Sequence, residues 1–372
     1  MKYLHKPILS KLALFLCTWM SVLSISAQTD RVYASGKLTL NPGGDNETQY
    51  FTVCLENANQ DYAAYQMDII LPPGLEIAYY EGEPDIYIEN VSLYPNKRGT
   101  PYHTLAIDVN HERIRVICAD IDGNRNLNAR NGELFVVGVV SSPYLKPGDV
   151  SVELKNVMLS NTDATGPTYN SMGYSSIGTA TSNGQVNLQL STTNKFGTII
   201  LPFDVVDIPI GLKAYSCNSL EGENLVLQPQ SILQAFTPYI LYAENGFKGK
   251  FTGEIDAAKH QLQAQTGYLT GTLVSKKIDS NQGHYVLQNQ GEGAMFYRVG
   301  ETAITIPAGK CWITLPQDKQ NTSALQLHLP TNINDAIRME STEDIPTYDL
   351  SGRRIHSTSK GIFVVGGKKV IK

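Results

Sequence analysis

The chain is poor in the residues that carry catalysis and metal chemistry. Of 372 residues, five are cysteine, seven histidine and two tryptophan. No two cysteines stand in CxxC spacing, so a dithiol redox motif and a zinc knuckle are excluded. No HExxH occurs, which removes the zincin arrangement. "YNSMG" around Ser171 lacks the first glycine of a nucleophile elbow. "GEGAMF" at Gly291 lacks the third glycine and the helix that a dinucleotide loop needs. Nothing singles out two carboxylates for glycoside hydrolysis. After the N-terminal segment no run reaches 18 apolar residues, so no membrane-spanning helix is expected. No window of twelve or more residues carries a 3.6 repeat. The expectation is a chain with no catalytic residue, no cofactor and no metal site.

The N-terminus reads as an export leader. Lys2, Lys6 and Lys11 precede an apolar run from Leu12 to Ile25, and Ile25-Ser26-Ala27 offers a small residue before Gln28. The run is too short to span a bilayer and has the proportions of a signal-peptide core. Bulky Leu16 before Cys17 argues against a lipoprotein cleavage site. Loss of residues 1–27 removes three lysines and takes the formal charge from −5 to −8. From Asp349 onward six cations stand against one acid, which leaves residues 28–348 near −13. A body of that sign repels nucleic acid, whose binding depends on neutralising phosphates. An exported protein, extracellular or on the outer cell surface, is expected. Four cysteines remain, Cys54, Cys118, Cys217 and Cys311. Buried thiols and one bridge in each half are both open readings.

What the chain has in plenty is glycine (31), proline (18) and tyrosine (20), a mix that favours strands and turns. From Lys37 the signal has period two. "KLTL", "QYFTVCLE", "YQMDIIL", "HTLAIDV", "RIRVICA", "ELFVVGVV" and "VSVELKNVML" read as short strands between Gly-, Pro- and Asn-rich turns. The expected architecture is all-β, with a jelly-roll-type antiparallel sandwich over residues 28–190. "SNTDATGPTYNSMGYSSIGTATSNG" reads as a long loop closing it, and "QVNLQL" as its final strand. A second β-rich domain is expected over 191–330. There "PYILYAENGFKGKFTG" reads as a hairpin turning at Asn245-Gly246. A polar linker over 331–345 and a small hairpin tail over 346–372 complete the chain. Trp312 in "GKCWITL" is expected in the core.

Two surfaces of the first domain are candidates for binding. Tyr79, Tyr80, Tyr87, Tyr94 and Tyr102 cluster in one stretch, and their rings could lie against pyranose faces. The second candidate follows from strand parity. With Tyr65, Met67, Ile69 and Leu71 inward, Gln66, Asp68 and Ile70 point outward. In the neighbouring strand Ile114, Val116 and Cys118 point inward, leaving Arg113, Arg115 and Ile117 outside. "DIDGNRNLN" alternates its acids and amides like a calcium loop. Arg125 holds the sixth position and Asn131 the twelfth, where glycine and a bidentate glutamate are needed. It reads as a solvated turn.

Several pieces are familiar in their order and spacing. "YQMDIILPPGLEI", "RIRVICADID", the Asn/Gly loop and "NGELFVVGVV" resemble a cohesin-like domain over residues 31–188, within the wider carbohydrate-binding-module type of jelly roll. The resemblance implies a non-catalytic binding or scaffold module, with a polysaccharide or a protein module as partner. It implies that the sheet bearing Gln66, Asp68, Arg113, Arg115 and Ile117 grips a protein. "ILPFDVVDIPIGLKAY", "GHYVLQNQGEGAMFYRV" and "IPAGKCWITL" are similar to a β module common in secreted proteins of Gram-negative gut bacteria. "YDLSGRRI…KGIFVVGGKKVIK" resembles a C-terminal sorting domain of the type IX secretion kind, in a shorter form. An alternative is an adhesin-like surface subunit that binds protein and not sugar.

Overall fold

The computed structural model describes residues 30–371, apart from 45–46, 58–59, 80–87, 90–101, 111–112, 121, 123–124, 129–130, 281, 291–292, 321, 330–346, 350–353, 356–361 and 366–367. The leader 1–27, the linker 331–345 and the side chains of the tail lie outside the described set. Among the described residues there is no α-helix, and no helix is long and apolar enough to cross a membrane. The chain divides into two compact units after Thr181.

The first unit is a two-sheet β-sandwich. Its strands are β1 (Arg31–Ser35), β2 (Leu38–Leu40), β3 (Gln49–Glu56), β4 (Ala64–Ile70), β5 (Leu75–Ile77), β6 (Ile88–Glu89), β7 (His103–Val109), β8 (Ile114–Asp120), β9 (Asn131–Ser141), β10 (Gly148–Ser160) and β11 (Thr168–Ala180). One sheet runs β1-β3-β9-β5, with β6 also on β9; the other runs β2-β11-β10-β4-β8-β7. Pairing is antiparallel except for β2 beside β11. Period-two alternation turns Phe51, Val53 and Leu55 of β3 toward Tyr65, Met67 and Ile69 of β4, and all six are buried in one core. The Tyr65 ring stacks on Phe135 of β9 at 6.0 Å between centroids, joining the two sheets. Each such side chain contributes about 1.5–3 kcal/mol through apolar burial. The Pro72-Pro73-Gly74 corner is a tight turn. Leu75 N donates to Pro72 O at 3.0 Å, and Gly74 adopts φ 88°.

The second unit contains β12 (Asn183–Leu190), β13 (Phe196–Ile200), β14 (Lys213–Glu221), β15 (Asn224–Gln230), β16 (Pro238–Tyr242), β17 (Phe247–Glu254), β18 (Gln263–Thr266), β19 (Leu269–Thr272), β20 (Lys276–Ile278), β21 (His284–Asn289), β22 (Ala294–Arg298), β23 (Ile304–Ile306), β24 (Lys310–Thr314) and β25 (Ala324–His328). Ten of these form one sheet, β13-β16-β14-β15-β25-β22-β21-β24-β19-β18. The sheet curls until its first strand meets β24, where Cys311 N donates to Thr198 Oγ1 at 3.0 Å. Trp312 is buried with Ile278, Val286, Val299 and Ile306, as its apolar setting predicts. The tail contains β26 (Thr347–Asp349), β27 (Arg354–Ile355), β28 (Ile362–Val365) and β29 (Lys368–Ile371).

Four expectations need correction. Residues 168–180 are not a loop but a strand paired with β10 along its length. Its side chains are mostly Ser, Thr and Gly, so the ladder holds it where local propensity does not. Gln185–Leu190 does not close the first unit; β12 pairs with β17 over eight residues. Asn245-Gly246 is a turn without a hairpin. Gly246 N donates to Ala243 O at 3.2 Å with only the glycine at positive φ, and β16 and β17 diverge to different partners. An unprimed turn splays the strands it joins. The tail is a four-stranded sheet, β27-β26-β28-β29, and not a single hairpin. Cys54, Cys118, Cys217 and Cys311 are buried and form no disulfide among the described residues, which resolves the open choice in favour of thiols.

Candidate functional site

The outer face of the six-stranded sheet brings the second candidate set together. Ladder register makes two rows across it. In the first, Asp108 stands opposite Arg115, Arg115 opposite Asp68, and Asp68 opposite Lys155. In the second, Ala106 stands opposite Ile117, Ile117 opposite Gln66, and Gln66 opposite Met158.

The charged row is locked from below. Asp68 is only 1% exposed, although parity places it outward. Its Oδ1 accepts from Arg115 Nε at 2.7 Å and its Oδ2 from Arg115 Nη2 at 2.8 Å, a bidentate fork. Asn156 Nδ2 donates to Oδ2 at 2.7 Å. The Arg115 hydrogen bonds hold the Asp68 carboxyl below its usual range, against the opposing effect of burial. Arg113 approaches the same carboxylate only to 3.7 Å. Asn156 reaches Asp68 because β10 bulges there. Register shifts between Lys155 and Met158, and Asn156 takes φ 48°, a conformation asparagine tolerates better than most residues. Next to the bulge, Ser171 Oγ donates to Glu153 at 3.0 Å, and Lys155 Nζ lies 3.1 Å from the same side chain.

The second row is apolar and open. Ile117 is 40% exposed and Met158 47%, with Gln66 between them donating to Met158 Sδ at 3.7 Å. Tyr174 on β11 is also exposed. Large apolar side chains gathered on one sheet face, beside fixed charges, suit a protein contact better than solvent. Of the predicted set, Ile117 is exposed, Gln66, Arg113 and Arg115 are half-buried, and Asp68 is the buried anchor. Met158, Asn156 and Tyr174 were not anticipated. A signal for the bulge exists: Val150, Val152 and Leu154 keep one parity and Val157 and Leu159 the other.

The tyrosine set is only partly visible. Tyr80, Tyr87 and Tyr94 lie outside the described residues. Tyr79, after β5 of one sheet, is 59% exposed, and Tyr102, before β7 of the other, is 50% exposed. One face of the Tyr102 ring is already covered by the Arg125 guanidinium, 3.7 Å from its centroid. Arg125 also neutralises the calcium-like loop. Its Nη1 lies 3.0 Å from Asp120 Oδ1 and 2.8 Å from Asp122 Oδ2, and its backbone N donates to Asp120 Oδ2 at 2.9 Å. The loop thus carries its own cation. Among the described residues no cluster of three His, Cys, Asp or Glu is placed to hold a metal.

No protein-family model and no curated protein matches this chain. Solved structures similar to it include cohesin modules. One is the non-cellulosomal cohesin of the hyperthermophilic archaeon Archaeoglobus fulgidus, at 18% identity and TM-score 0.27, covering 41% of this chain and 86% of that one. A cohesin module of a Clostridium perfringens family 33 glycoside hydrolase matches at 9% identity and TM-score 0.29, covering 41% and 96%. A type I cohesin–dockerin complex of Clostridium thermocellum matches at 12% identity and TM-score 0.30, covering 41% and 99%.

Proposed function

We propose that the first unit is a docking module for a protein partner and that the outer face of its six-stranded sheet is the contact surface. One observation carries this reading: Ile117 and Met158 stand exposed in one row, beside a charged row fixed in place by buried Asp68. Preorganised charge next to open apolar surface is the composition of an interface core and its rim. The leader-like residues 1–27 support export. An exported docking module suits assembly of proteins at the outer cell surface, including proteins that capture or degrade polysaccharide. A direct sugar contact through Tyr79 and Tyr102 is the second reading, favoured by their exposure and weakened by the guanidinium on Tyr102. The test uses the mature chain as bait for surface and secreted proteins of its source cell, with a glycan array run in parallel. Ile117→Asp and Met158→Asp should abolish a protein capture that Tyr79→Ala and Tyr102→Ala leave intact. Binding to a glycan that the tyrosine variants lose, with no capture sensitive to the sheet variants, would reverse the assignment.

A further inference from the structure

Two arginines share the docking face, and their bonding differs sharply. Arg115 is engaged: its Nε and Nη2 both donate to Asp68. Arg113 is not held in this way. Its Nη1 is buried and makes no hydrogen bond, with the nearest Asp68 oxygen at 3.7 Å. Asp68 is held in its orientation by Arg115 and Asn156, which leaves its nearest oxygen beyond hydrogen-bond distance of Arg113. The other counter-ion is Asp108, at 3.3 Å from Arg113 Nη2, on a side chain that is largely exposed. A guanidinium has five donors in a rigid fork that matches a carboxylate, and a buried donor left unmade costs free energy.

We infer that Arg113 is the specificity-determining cation of this face and that the partner presents a carboxylate to it, displacing Asp108. The inference rests on reading the face as a docking surface, and it names what the partner must carry there. The two arginines divide the work. Arg115 and Asn156 hold Asp68, so that the strands under the contact stay rigid. Arg113 keeps unused donors and a weak, solvent-exposed counter-ion that a better-placed acceptor can replace. Selectivity would arise in the way a buried polar group produces it: a partner without the acceptor leaves Arg113 in a water-excluded contact with only its weak pairing to Asp108. A partner with a lysine or arginine there would meet like charge.

The probe is acetate, titrated into the mature chain while the arginine Nε–H resonances are followed by nuclear magnetic resonance. The Arg113 resonance should shift saturably and that of Arg115 should stay still, with chloride at equal ionic strength moving neither. Asp108→Asn removes the competing carboxylate and should tighten acetate binding about twofold to fivefold, the range of one exposed ion pair. Equal shifts at both arginines, no shift at Arg113, or an unchanged affinity in Asp108→Asn would each overturn the inference. None of these readings needs the partner, so their failure is separate from failure of the docking assignment. Once a protein is captured through the face, Arg113→Ala should weaken it about tenfold or more, the scale of a charge-assisted hydrogen bond. Full retention of affinity in that variant would also overturn it.

Discussion

Asp68→Asn is the perturbation that most directly probes how the sheet face is held. The substitution keeps the shape of the side chain and removes the charge that Arg115 grips. In the native chain the carboxylate accepts two hydrogen bonds from Arg115 and one from Asn156, all between 2.7 and 2.8 Å. A hydrogen bond to a charged group contributes about 1.5–3 kcal/mol net. Both arginines are partly exposed and can rehydrate, so the three bonds do not add in full. The expected loss is about 2–3 kcal/mol, and with a urea slope of about 2 kcal/mol/M it moves the midpoint of the first unit by about 1 M. Cys118 is fully buried in this unit and gives a local readout: pulsed alkylation at increasing urea reports when its strand opens. The effect should depend on pH. The folded-state pKa of Asp68 lies below its ordinary value, so the contribution is complete above the unfolded value, about 4. It is lost as pH falls through the folded value. The gap between native chain and variant should therefore be widest near neutrality and close in strong acid. An unchanged midpoint at neutral pH, or a gap that does not narrow as the pH is lowered below about 4, would refute the account of Asp68 as a charged anchor.

Other consequences are as concrete. Gly74→Ala should cost about 1–3 kcal/mol, because the turn holds φ 88° and an added Cβ would meet Leu145 backbone at 2.6 Å; a melting point equal to the native one would contradict it. All four thiols should resist alkylation in the native chain and react on unfolding, with no change in mobility under reduction. Burial pushes Cys118 up to about 11 and Cys217 and Cys311 up to about 12, so raising the pH to 9 should not make these three reactive. Division after Thr181 should yield two fragments that each melt cooperatively, whereas division after Leu190 removes the partner of β17 and should destabilise the second fragment. Two cooperative melts from the later cut would place the boundary differently.

Much of the first unit was legible because its strands alternate cleanly. Tyr65, Met67 and Ile69 against Gln66, Asp68 and Ile70 define a face from parity alone, and ladder pairing then sets Asp68 opposite Arg115. Parity tells which way a side chain starts, not what covers it. Asp68 is outward in direction and buried in fact, because two long arginines and an asparagine from a third strand close over it. The bulge that delivers Asn156 was written in the broken parity of "VSVELKNVML", but a short apolar run does not reveal which neighbour needs it. β11 was hidden for another reason. Apart from Tyr174 its exposed positions are small or polar, and only Ile177 and Ala180 are buried, so it has little apolar signal of its own. In the second unit the local turn at Asn245-Gly246 was readable, while the partners of its flanking strands depend on contacts distant in sequence, with β12 and β13.

The docking assignment is tested most directly by amide hydrogen exchange on residues 28–372, alone and saturated with a captured partner. Protection is expected to gather on the strands of one sheet face, Ala64–Ile70, Ile114–Asp120 and Gly148–Ser160, with the surroundings of Tyr79 and Tyr102 unchanged. Protection confined to the tyrosine stretch, or to the second unit, would contradict it.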